Sequence, residues 1–215
     1  MKRYLTIPIL LSLALTACTS DESPSSAPPE TAAHAAHLTA GGAAGPESLG
    51  TVTDMSLYNL ESDWKTQAGE SIRLVNLKGK VQIVAMVYTS CTYACPRIVA
   101  DLKRIETSLE KVKRQDVGIV LVTMDPANDT PAQLKTFAAA NKLEADRWVL
   151  LTGEDAAIQE LAVLLNMKYK KAPNGDIAHS NIISVLNANG EIIHQQEGLG
   201  VEPDETVKAI EGLLL

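Results

Sequence analysis

Two continuous apolar runs, "VQIVAMVY" (81–88) and "VGIVLVTM" (117–124), dominate the pattern of the chain. Neither alternates, both are rich in Val or Ile, and both have strand length, the signature of strands buried on both faces of a sheet. Between them, "PRIVADLKRIETSLEKVKR" repeats Ile98, Val99, Leu102, Ile105, Leu109 and Val112 at helical spacing, with charges on the opposite face. Strand, helix, strand predicts a parallel pair joined by a crossover helix. "DTPAQLKTFAAANKL" predicts a second helix, with Thr130 as N-cap, Pro131 at the first helical position and Gln133 completing a capping box. Its inward stripe is Leu134, Phe137 and Ala138.

The alternation continues. "WVLLTG" (148–153) reads as a strand, and "DAAIQELAVLLNMKY" as a helix with Ile158, Leu161, Ala162 and Leu165 inward. "NIISVLNANGEIIHQ" is a hairpin around Asn189-Gly190, "EPDETVKAIEGLLL" is a closing helix, and "SIRLVNLKGK" adds a strand and turn before the first apolar run. The order predicts an α/β fold, a mixed central sheet flanked by helices with an N-terminal β extension. It is compatible with a thioredoxin-like fold.

The ends change the picture. Lys2 and Arg3 precede "LTIPILLSLALTA", an apolar run shorter than the ~20 residues a bilayer requires. This is the pattern of a secretory signal, and "LTAC" at its end resembles the lipobox of bacterial lipoproteins. The expectation is a leader over 1–17 and a lipidated Cys18, with ordinary cleavage and a spare Cys18 thiol as the alternative. Residues 18–48, rich in Ser, Pro, Ala, Gly and Thr, read as a disordered tether, and residues 49–215 as one domain. An exported, membrane-anchored protein facing an oxidising compartment follows.

Cleavage takes 19 basic residues to 17 against 26 acidic, a balance of −9. An acidic domain without a basic run argues against nucleic acid as a partner. No phosphate-binding loop or serine nucleophile is present in the sequence.

With Cys18 assigned to the leader, Cys91 and Cys95 are the remaining pair, in "YTSCTYACP" where the first buried strand gives way to the helix. Pro96 fits only the first turn of that helix, so the cysteines flank its N-terminus, where unpaired amides and the helix dipole favour thiolates. Three readings stay open: a structural disulfide, a redox couple, or two sulfur ligands for a metal. A disulfide would close only a short loop and contribute little. The spacing is one residue longer than the C-x-x-C of thioredoxins, and the peroxiredoxin pattern fails at Tyr88, where it requires proline.

Other candidates are weaker. Asp125 and Asp129 resemble paired carboxylates, but one ends a strand and the other precedes a capped helix, which suggests support of the site. His34 and His37 lie in the tether, His194 is expected to be exposed on the hairpin, and Met86, Met124 and Met167 read as packing. His179 alone is a poor metal signal, and an ordinary loop histidine is its default reading.

A resemblance alters that reading. "YTSCTYACP", "TMDPANDTP" (123–131), "LTG" (151–153) and "HSNIISVLNANGEI" (179–192) are similar, in order and spacing, to the Sco/SenC family over about 51–215. The family implies an exported, membrane-attached, thioredoxin-like protein that binds copper and helps assemble the dinuclear copper centre of cytochrome c oxidase. Its two cysteines and histidine carry over onto Cys91, Cys95 and His179 as metal ligands. Thiolates favour Cu(I) and an imidazole is an ordinary third ligand, with Cu(II) the second state to consider. The implied partners are the copper-bearing oxidase subunit or another copper protein, and a thiol reductant. Two positions differ from the family's common residues: Thr92 stands for proline, and Ala178 stands where an aspartate often precedes the histidine. In the sequence, His179 follows "KKAPNGDIA", read as a loop that acts as a mobile lid. A thiol–disulfide reductase with incidental copper binding is the alternative function, and a docking sensor the third.

Overall fold

The expected alternation is present in the computed structural model, which describes residues 52–109, 116–173 and 176–215. Its strands and helices run β1 (Asp63–Thr66), β2 (Ser71–Arg73), β3 (Val81–Val87), α1 (Ala94–Ser108), β4 (Val117–Thr123), α2 (Pro131–Ala140), β5 (Trp148–Gly153), α3 (Asp155–Leu164), β6 (Tyr169–Lys171), β7 (Ile177–His179), β8 (Ile182–Leu186), β9 (Ile192–Glu197) and α4 (Asp204–Gly212). The leader 1–17, Cys18 and the tether 18–48 lie outside the described residues, as do His34, His37 and the helical position Val112. No helix among the described residues is long and apolar enough to cross a membrane.

Seven strands form one sheet in the order β2-β1-β5-β4-β3-β8-β9. β3 and β4 are parallel, in register from Val81↔Val117 to Val87↔Thr123, and β4 and β5 continue the parallel core. All seven residues of β3 are buried, as its unbroken apolar sequence requires. The hairpin β8–β9 adds antiparallel to β3, and β1 adds antiparallel to β5 with β2 outside it. Ile98, Val99, Leu102, Ile105 and Leu109 of the first helical stripe are all buried, and so are Ile158, Leu161, Ala162 and Leu165 of the third. Leu161 shares an apolar layer with Leu57, Tyr58, Val84, Val120 and Val122.

Several local details depart from the expectation. β1 escapes pattern reading because only four residues, "DWKT", form it, with Trp64 and Thr66 buried. The third helix stops at Leu164, short of Tyr169. Asn166 takes the left-handed conformation at φ 55° and the amides of Asn166 and Met167 donate to Val163 and Ala162, closing the helix as a Schellman motif. The capping box is half formed. Thr130 Oγ1 accepts from the Gln133 amide at 3.3 Å, but the Gln133 side chain reaches Thr89 Oγ1 instead of the Thr130 N–H, which donates to Asn128. In the hairpin the turn covers residues 187–191, organised by Asn187 Oδ1, which accepts from the amides of Asn189 and Glu191. Gly190 has φ +84°, and a Cβ there would sit 2.6 Å from the Tyr58 ring, so glycine is needed twice over.

Candidate metal centre

The centre is assembled at the C-terminal end of β3. Past Val87 the chain turns, the Cys91 amide donating to the Tyr88 carbonyl at 3.2 Å, and α1 begins at Ala94. Cys95 and Pro96 therefore fall in the first turn, where Pro96 lacks nothing the helix needs. The two thiols are unlinked. One amide of that turn is used directly: the Cys95 N–H donates to Cys91 Sγ at 3.3 Å. Cys95 Sγ accepts from the Tyr88 N–H at 3.4 Å. Cys91 is half-buried and Cys95 fully buried.

Those surroundings split the pair. Burial by itself raises the Cys91 thiol, but the amides of Cys95 and Tyr93 and the contacts with the Cys95 thiol and the Tyr88 hydroxyl outweigh it, and the net shift is downward. Burial pushes Cys95 well up; the Tyr88 amide offsets little of this, and the charges of Cys91 and Asp129 add to it. Negative charge in the reduced pair thus settles on the more exposed sulfur.

His179 reaches the pair through sheet topology. β8 runs antiparallel to β3, with Ala85 opposite Ile183, so residues just before β8 lie beside the end of β3 that carries the cysteines. The expected lid loop is in fact a ribbon: β7 pairs antiparallel with β6, and Tyr169 lies opposite His179. Each of these strands has only three residues, YKK and IAH, too few for an alternation to betray them. His179 Nε2 faces Cys95 Sγ at 4.0 Å. Nδ1 lies 2.9 Å from the Ser180 carbonyl, which can only accept, so Nδ1 carries the proton and Nε2 presents its lone pair to the sulfurs. That carbonyl orients the ring from the backbone. Ala178 cannot take part, since it is exposed on the opposite face of β7.

The two aspartates brace this arrangement. Asp129, buried, accepts from the Thr89 amide at 3.0 Å and from the hydroxyls of Thr89 and Thr123, tying the turn before Cys91 to the end of β4. Asp125 accepts from Asn128 Nδ2 at 2.7 Å and pairs at 3.7 Å with Lys171 of β6, so it reaches the ribbon carrying His179. His194 is half-buried beneath α4, its Nε2 3.0 Å from Thr206 Oγ1, whose hydroxyl donates to Gln196 Oε1, where the pattern had implied exposure. Met86, Met124 and Met167 are packed in the core, Met167 Sδ accepting from Ser180 Oγ. Among the described residues, Cys91, Cys95 and His179 form the group that could hold a metal ion, their donor atoms all within 4.8 Å of one another. At the mouth lie exposed Ser90, Thr92 and Tyr93, the Tyr93 ring covered by the Arg97 guanidinium at 4.1 Å.

Pattern reading missed Tyr88. Its position at the end of a buried strand, three residues before Cys91, was the available signal.

Fold and site together define a thioredoxin-like protein in which the start of the first helix and the turn before it present two thiols to an imidazole carried on a separate ribbon. The chain belongs to the SCO1/SenC family, whose pattern it matches over residues 56–215. It is 30% identical over 160 residues to the SCO1 protein homolog of Bacillus subtilis, covering 73% of this chain and 82% of that one. BsSco, described as carrying a disulfide switch and as a member of the Sco family of cytochrome c oxidase assembly proteins, is 29% identical with a TM-score of 0.61, over 70% of this chain and 90% of that one. ScoI of Bradyrhizobium japonicum, solved with copper bound, shares the fold at 22% identity and a TM-score of 0.61, over 71% and 96% of the two chains.

Proposed function

We propose that this protein binds copper through Cys91, Cys95 and His179 and passes it to a copper protein at the outer face of a membrane, the dinuclear centre of cytochrome c oxidase being the expected destination. The observation that carries this reading is the convergence of two sulfurs and one imidazole nitrogen within 4.8 Å. Metal–sulfur and metal–nitrogen bonds of a first-row ion such as zinc are ~2.0–2.3 Å, which sets donors at trigonal corners ~3.5–4 Å apart. Cys95 Sγ and His179 Nε2 already stand at that separation. Two soft thiolates and one imidazole suit Cu(I). Low coordination leaves room for an acceptor thiol to approach on the side of half-buried Cys91, so the ion moves by stepwise ligand exchange. Kinship supports the reading, since relatives include a copper-bound protein and an oxidase assembly protein. After cleavage of the leader, a lipid on Cys18 would hold the domain at the membrane, with residues 18–48 as a tether spanning roughly 30 Å as a flexible coil.

The test is an anaerobic Cu(I) competition titration of the full chain in detergent, beside His179→Ala and a Cys91→Ser, Cys95→Ser double variant. One tight equivalent is expected, abolished in the double variant and weakened at least about tenfold in His179→Ala. Equal weak binding by all three would overturn the reading.

The asymmetry of the thiols favours a second reading, reduction of the acceptor's disulfide. Cys91 thiolate would attack the disulfide, and Cys95 would resolve the mixed species. The acceptor leaves as a dithiol, the Cys91–Cys95 disulfide forms, and a thiol reductant resets it. Copper transfer requires His179; this exchange does not.

A further inference from the structure

Tyr88 touches every member of the centre. Its amide donates to Cys95 Sγ at 3.4 Å. Its ring meets the His179 imidazole edge-on, centroids 6.1 Å apart at 82°. Its hydroxyl makes a polar contact with the Cys91 sulfur and accepts from the Ile177 N–H at 3.4 Å. Ile177 lies two residues before His179 on β7, hence on the same face of that strand. Tyr88 is itself buried in the core cluster.

A phenol oxygen has one proton to give and two lone pairs to receive with. The Ile177 amide occupies a lone pair, and the proton remains for the sulfur beside it. We infer that Tyr88 is the positioning residue of this centre, holding the His179 ribbon against the cysteine turn and donating its hydroxyl proton in a hydrogen bond to the Cys91 sulfur, so that it biases the bound metal toward Cu(I). A hydrogen bond to a thiolate draws electron density away from the sulfur. Cu(II) depends on strong sulfur donation more than Cu(I) does, and hydrogen bonding around a cysteine ligand is an established control on copper potentials. This role rests on the copper reading above.

The variant Tyr88→Phe keeps the ring and removes the hydroxyl; Tyr88→Leu removes both. In the full chain, three quantities are to be measured: Cu(I) affinity by competition, the Cu(II)/Cu(I) reduction potential, and the sulfur-to-Cu(II) charge-transfer band. Losing a hydrogen bond to a charged group is expected to raise the ratio of Cu(II) to Cu(I) affinity about tenfold in Tyr88→Phe. The potential falls accordingly and the band moves to longer wavelength. In the metal-free protein, hydrogen exchange at the Ile177 amide quickens. If wild type binds copper but Tyr88→Phe matches it in potential and band, and only Tyr88→Leu is impaired, Tyr88 serves packing alone and the inference is overturned while the copper reading stands. If wild type binds no copper, both fall together.

Discussion

At the residue scale, what separates Cys91 from Cys95 is the direction in which each sulfur meets the start of α1. Cys91, before the helix, accepts a first-turn amide from outside, whereas Cys95, inside the turn, is enclosed between β3 and the helix core. The amide hydrogen bonds overcome burial at Cys91 and fail to do so at Cys95. Iodoacetamide at neutral pH should therefore label Cys91 first, with peptide mapping showing Cys95 protected. The labelling rate of Cys91 should level off at a lower pH than that of an ordinary cysteine, because its thiolate forms earlier. Equal labelling, or Cys95 first, would refute this asymmetry. Cys91→Ser should abolish the fast phase. Neither result depends on copper.

Elements meet at this centre through buried polar contacts that span three loops. Asp129 links the turn after β3 to the end of β4, and Asp125 reaches through Lys171 to β6. Asp129→Ala would leave the Thr89 amide and two threonine hydroxyls without their acceptor. Each unsatisfied buried group costs ~1–3 kcal/mol; with Thr89 only half-buried the low end applies to the three groups, and a total loss of roughly 3 kcal/mol or more is expected, read by urea unfolding. A change below ~0.5 kcal/mol, the size usual for a surface substitution, would show that water replaces the carboxylate. Lys171, which is 42% exposed, also contacts Asp155, and its contribution is expected to be correspondingly small. The same scale accounts for the missed elements. β6 and β7 are held by pairing with each other, and a strand of three residues carries no periodicity of its own.

For the whole molecule, a ligand held jointly by the cysteine turn at the start of α1 and the β6–β7 ribbon adds to the links already made by Tyr88 and by the Asp125–Lys171 pair. Binding to the native state alone stabilises it by ~4 kcal/mol at a free ligand concentration a thousand times the Kd. Anaerobic Cu(I) should thus raise the melting temperature by roughly 10 °C for a domain of this size. The shift should be smaller in His179→Ala and absent in the Cys91→Ser, Cys95→Ser variant. A full shift in His179→Ala would place the ion on the two sulfurs alone.

By itself the sequence determined the central parallel strands, their crossover helices and the place of the cysteine pair. Long apolar runs report burial on both faces, and Pro96 confines the helix start to the turn around it. The hairpin β8–β9 was legible from its Asn189-Gly190 turn signal, though not the length of its turn, which Asn187 sets by side-chain hydrogen bonds. Only the tertiary structure decided that His179, 84 residues after Cys95, meets it. That meeting follows from β8 pairing antiparallel with β3, a choice made by the packing of the entire sheet and written in no local pattern. The tautomer of His179, the split between the thiols and the contacts of Tyr88 are likewise tertiary, because each depends on atoms supplied by strands remote in sequence.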